Sequence, residues 1–124
     1  MKKLLTLPAV MLCGCALTPM QLRESGTNEI FAMTQPPQIA AACVARNIEE
    51  TRRDSIGGNL NLNLRAGLTP GAAELVAQVP DITLLTLLVV DFTPQAAGSS
   101  ASAWYRPGMF EFAKARYRQA FSGC

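Results

Sequence analysis

The chain alternates between segments with a helical period and segments with a two-residue period. From Pro37 to Glu50, Ile39, Cys43 and Ile48, with Ala40 and Val44, recur at helical spacing among strong helix formers, predicting a helix of about 14 residues that Gly57-Gly58 stop. The period then changes. In Asn59 to Arg65, Leu60, Leu62 and Leu64 alternate with Asn59, Asn61, Asn63 and Arg65, as in a strand with one buried and one wet face. A turn at Leu68-Thr69-Pro70-Gly71 leads to a weaker alternation from Ala73 to Val79, broken by Pro80-Asp81. Thr83 to Thr93 is apolar on both faces. It reads as an inner strand ended by Pro94, with a buried helix as the alternative; its recurring β-branched residues favour the strand. Ser99 to Tyr105 predicts a fourth strand. Met109 to Phe121 predicts a closing helix, with Met109, Phe110, Phe112, Ala113, Tyr117, Ala120 and Phe121 on its apolar side.

These elements define an α+β class: helix, four-stranded antiparallel meander, helix, with both helices on one face of the sheet. The domain spans residues 37–124. Ahead of it, the mixed polar segment closed by Pro36-Pro37 reads as a tether reaching about 25 Å as a flexible coil. Within that segment, Thr18-Pro19-Met20-Gln21 carries an N-cap, a proline at N1 and a Gln at N3, the signature of a short helix.

The first residues have another pattern. Lys2 and Lys3 precede an apolar run from Leu4 to Leu12, too short for a bilayer that needs about 18 to 20 apolar residues, and small Gly14 stands before Cys15, as at the end of an export signal. Leu12-Cys13-Gly14-Cys15 resembles the bacterial lipobox, a branched apolar residue, a variable one and a small one before an obligatory cysteine. Cys13 stands where Ala, Ser or Thr is usual. The resemblance covers the first fifteen or so residues and implies a lipoprotein: residues 1–14 a signal peptide, cleavage between Gly14 and Cys15, Cys15 lipidated and starting a segment that runs to residue 36. It implies a membrane partner through the anchor. Ala16, rather than Asp, after the lipidated cysteine favours the periplasmic side of the outer membrane.

Charge and cysteine count follow from that processing. Without Lys2 and Lys3, nine basic residues face nine acidic ones, a net charge of 9 − 9 = 0. No basic excess points to nucleic acid. Cys43 and Cys124 are then the two cysteines left, in a compartment where disulfides persist, and they pair as a bridge; two buried free thiols are the alternative.

Candidate chemistry is sparse. Histidine is absent, which removes the commonest general base and metal ligand, and neither a metal nor a cofactor is expected. Lys114, the sole lysine after Lys3, and Ser99, Ser100 and Ser102 form the only nucleophilic set, but "GSSAS" matches neither Gly-x-Ser-x-Gly nor Ser-x-x-Lys. Asn59, Asn61, Asn63 and Arg65 form a polar ladder at intervals of about 6.6 Å, suited to an extended chain or a glycan, though a wet sheet face is its ordinary meaning. Trp104-Tyr105-Arg106 combines residue types enriched at interface hot spots, against a plain aromatic packed under the last helix. The expected role is a non-enzymatic binding or scaffold module of the cell envelope, its partner an envelope protein or the cell wall. A small-ligand or glycan-binding module is second and a Ser-Lys hydrolase third.

Overall fold

A computed structural model describes residues 18–53, 60–80 and 85–124. Its elements are α1 (Pro19–Ser25), β1 (Thr27–Met33), α2 (Pro37–Arg53), β2 (Asn61–Ala66), β3 (Ala73–Val79), β4 (Leu85–Gln95), β5 (Gly98–Tyr105) and α3 (Glu111–Gln119). The fold is α+β, with one antiparallel five-stranded sheet in the order β1-β5-β4-β3-β2. The expected meander is β2 to β5. The fifth strand comes from the segment read as a tether: β1 pairs with β5 from Thr27↔Tyr105 to Met33↔Ser99, so residues 18–35 belong to the folded unit. Its alternation, Thr27, Glu29, Phe31 and Met33 against Asn28, Ile30 and Ala32, is mixed in polarity on both sides, as suits an edge strand whose partners decide its fate.

β4 is the central strand of the sheet, which explains its apolar character on both faces. Leu88, Val90 and Phe92 point to one side and Val89 to the other, all fully buried. Pro94 does not end the strand but pairs with Ser99 inside it. Because β3 begins at Ala73, opposite Phe92, β4 has a neighbour on one side only at Pro94, where a residue without an N–H is tolerated. The β4–β5 turn is Ala96-Ala97, followed by Gly98 at φ 113°. A Cβ on Gly98 would lie 2.2 Å from the Met33 backbone oxygen, so the close approach of β1 requires glycine there.

The main core lies on the face covered by α2 and α3. Ala40, Ala41, Val44 and Ile48 of α2 bury against Ala73, Leu75 and Ala77 of β3, Leu88, Val90 and Phe92 of β4, and Ala101, Ala103 and Tyr105 of β5. α3 lies toward the β1 edge. The Phe121 ring just beyond it stacks on Phe31 at 4.2 Å, and Tyr117 faces Tyr105 at 6.4 Å. Phe110 and Phe112 leave the apolar side assigned to them: both are about 70% exposed and stack on each other, because the stripe that reaches the core is Met109, Tyr117, Ala120 and Phe121. Cys43 of α2 is bonded to Cys124, with Cα atoms 5.9 Å apart. Asn47 Nδ2 donates to the Ala120 oxygen at 2.9 Å, and the Cys124 backbone oxygen accepts from the Thr34 and Gln35 amides. The end of the chain thereby locks α2, α3 and the β1–α2 connection together.

α1 packs on the other face. Thr18 Oγ1 accepts from the Gln21 amide while Gln21 Oε1 accepts from the Thr18 amide, a complete capping box. Leu22, fully buried, joins Val76 and Val89, with Trp104 against them.

Candidate functional site

The polar ladder expected on β2 lies at one edge of the sheet. Asn61 and Asn63 are exposed on β2, at the edge of the sheet, and Asn59 lies outside the described residues. Arg65 is not free: its Nε donates to Glu74 Oε1 at 2.8 Å, with the side chain 55% exposed. The face carrying them is open only in part, since α1 lies over β4 and β5 at its centre. The structure therefore corrects the picture of one wholly open face. It has an exposed β2 margin, a covered middle and an exposed β1 margin with Asn28, Ile30 and Ala32.

Under α1 lies a charge cluster that sequence reasoning missed. Arg23 Nε and Nη2 donate to the two carboxylate oxygens of Asp91 at 2.8 and 2.6 Å, a bidentate pair, and Nη2 also donates to Glu74. The three side chains are 8 to 15% exposed. Hydrogen bonding to Asp91, opposed by burial, holds the guanidinium pKa above its ordinary value. With Arg65, two cations meet two carboxylates, so every buried charge has an opposite partner and the cluster locks α1 to β3 and β4. Arg23 also lies 5.9 Å over the Trp104 ring. Trp104 is thus packed beneath the first helix, and Tyr105 is the aromatic that lies against the last. Residues 51 and 68 positions apart in sequence make this cluster, and no local pattern announces it.

A second network joins β1 to α3. Glu29 accepts from the Tyr105 hydroxyl at 2.9 Å and from Arg118 Nε, and Arg118 Nη2 donates to Glu111 at 2.8 Å. Burial, then the Glu29 carboxylate, pushes the Tyr105 phenol above its usual range. The hydrogen bond from Arg118 holds the Glu111 carboxyl below its usual range.

The Ser-Lys set is not assembled. Ser99 is buried and its hydroxyl donates to the Gln35 oxygen at 2.7 Å, while Ser100 and Ser102 point to the face opposite α2 and α3, away from Lys114 on α3. Among the described residues no group of three or more His, Cys, Asp or Glu side chains could hold a metal ion. None of the described helices is long and apolar enough to cross a membrane. Gly14 and Cys15 lie outside the described residues. The β2 margin instead borders a groove of about 780 Å3 between α2 and the β2–β3 hairpin, lined by residues including Gln38, Ala41, Leu64, Arg65 and Leu68. Protein-family models, curated proteins and solved structures contain no match to this chain.

Proposed function

We propose that the chain is a lipid-anchored lipoprotein of the bacterial cell envelope whose α+β unit binds or positions another envelope component, a protein or the cell wall, without catalysing a reaction. The observation that carries the reading is Leu12-Cys13-Gly14-Cys15 behind Lys2, Lys3 and a short apolar run. The Cys43–Cys124 disulfide agrees with a compartment outside the cytosol. α1 adds a consequence: Thr18 is three positions after Cys15, a reach of at most about 10 Å. A lipid on Cys15 would hold the folded unit against the headgroups instead of on a long leash. Two or three acyl chains would make that attachment lasting, at about 0.8 kcal/mol per buried CH₂.

Intact mass of the protein recovered from bacterial membranes tests the reading. A chain beginning at Cys15, heavier by two or three acyl chains and lighter by two hydrogens than its reduced form, is the expected result. A chain that retains Met1 and carries no lipid would overturn the anchor. In Cys15→Ala the folded unit should move from the membrane fraction to the soluble one.

A second reading, binding of a glycan or small ligand along β2, is favoured by the exposure of Asn61 and Asn63 at the edge of the sheet. A thermal shift with cell-wall fragments that disappears in Asn61→Ala/Asn63→Ala would select it over the scaffold reading.

A further inference from the structure

The two edges of the sheet differ in how they are protected. β1 holds a charged residue, Glu29, at mid-strand, tied to Tyr105 and Arg118, and the Thr34 and Gln35 amides just beyond it are already bonded to Cys124. Charged residues pointing inward are a device that keeps foreign strands from an edge. Among the described residues β2 has no charge pointing to the core side; its one charged residue, Arg65, lies on the opposite face with Glu74. The strand contains no proline, lysine or acidic residue, its pairing with β3 runs without a bulge from Asn61↔Gln78 to Ala66↔Ala73, and its core-side row is leucine. Leu64 is 48% exposed, and Leu68, which lines the same groove, is 67% exposed.

We propose that β2 pairs antiparallel with β2 of a second copy of this chain, about a two-fold axis at Asn63, joining two five-stranded sheets into one of ten strands. The argument is self-complementarity. In an antiparallel pair, directly opposed residues share a face. Centring on Asn63 sets Asn63 against its own copy, Asn61 against Arg65, Leu62 against Leu64 and Leu60 against Ala66, so all of Leu60 to Ala66 finds a partner. Leucine meets leucine on the core side and polar meets polar on the other. Each Arg65 faces an asparagine of the other copy; moving the axis to Arg65 would oppose two like charges, moving it to Leu62 or Leu64 would keep the faces matched but leave part of Leu60 to Ala66 without a partner, and an axis midway between two residues would set asparagine against leucine. The groove supplies the room. It runs along Leu64 and Ala66 between α2 and Leu68, on the side where the second copy's Leu60 and Leu62 would lie. Pairing removes the exposed apolar margin and doubles the Asn and Arg ladder without covering it. The inference concerns self-assembly and does not depend on the lipid anchor.

The test is cysteine cross-linking of the full chain in bacterial cells under mild oxidation, with the Cys43–Cys124 bridge checked by mass in each variant as the sign of correct folding. Opposed Cα atoms in an antiparallel pair lie about 4.5 to 5.5 Å apart, within disulfide range. Asn63→Cys is expected to form a covalent dimer by itself. Asn61→Cys and Arg65→Cys are expected to stay monomeric alone and to cross-link when co-expressed. Adding Leu64→Lys to Asn63→Cys should remove most of the dimer. No cross-link at Asn63→Cys, self-linking at Arg65→Cys, survival of the dimer with Leu64→Lys, or an equal yield from Ile30→Cys on the β1 edge would each overturn the proposal.

Discussion

The two faces of the sheet are held by different forces, and the difference decides how each would fail. On one face, α2 and α3 bury a continuous apolar layer around Phe92, Leu88 and Tyr105, and the Cys43–Cys124 bridge closes it covalently. On the other, α1 has seven residues, too short to persist alone in water, and is held by Leu22 and the ion pairs of Arg23. An apolar layer that spans four strands cannot open in one place without losing the whole; a short helix on a charge cluster can lift while the sheet stays. The first face therefore sets global stability. The second sets local stability around the residues closest to Cys15.

The sharpest way to break the contrast is in the apolar layer. Phe92→Ala, at the centre of β4, should cost about 3 to 5 kcal/mol, measured as a drop in the urea midpoint, with loss of hydrogen-exchange protection across α2, β3, β4 and β5 together. Protection lost only near position 92 would show that the layer does not act as one unit.

Removing the bridge comes next. Cys43→Ser/Cys124→Ser opens a closure between residues 81 apart, worth roughly 4 to 5 kcal/mol in the chain-entropy limit and about 2 to 4 in practice. Asn47 and the Thr34 and Gln35 amides still hold the end of the chain, so a folded protein with a lower midpoint is expected.

On the other face the outcome should differ in kind. Arg23→Met leaves Asp91 without its bidentate cation, whereas Glu74 keeps Arg65. The expected cost is about 2 kcal/mol, below the 3 to 5 typical of a broken buried pair because α1 can lift and let water reach the carboxylates. Exchange protection should fall in α1 and remain in α2 and β4. A uniform loss would mean that both faces unfold as one.

The smallest effect is a pH dependence. Tyr105 and Tyr117 both have phenols pushed upward by burial, Tyr105 with the Glu29 carboxylate adding to it. A raised folded pKa means that the unfolded chain releases the proton first. The contribution is therefore complete below the ordinary tyrosine value of about 10 and lost as pH rises through the folded value. Stability should decline above pH 10, and Tyr105→Phe should flatten that decline; an equally steep fall in the variant would assign the effect elsewhere.

Several elements were legible in the chain because their cause is local. The capping box that starts α1, the helical spacing of α2, and the alternations of β2, β3 and β5 depend on neighbours a few residues apart. β1 was not legible: its side chains are mixed in polarity, and only pairing with β5, more than 65 residues later, makes them a strand. The exposure of Phe110 and Phe112 was hidden for a related reason, since a helix stripe shows which residues are apolar but not which part of the stripe meets the sheet. The expected open face was half right. Its ladder is exposed at Asn61 and Asn63, but the helix over its centre comes from a segment that looked like a leash.

The sequence alone determined the types of the elements other than β1, the α+β class and the polar-apolar alternation of β2, which short-range pattern can carry, and the pairing of Cys43 with Cys124 followed once the resemblance to a lipobox had set Cys13 and Cys15 aside. Tertiary structure decided the fifth strand, the docking of α1, the Arg23–Glu74–Asp91 cluster and the groove beside Leu64. Each of these joins residues far apart in the chain, where complementarity in space, and not spacing in sequence, selects the partner.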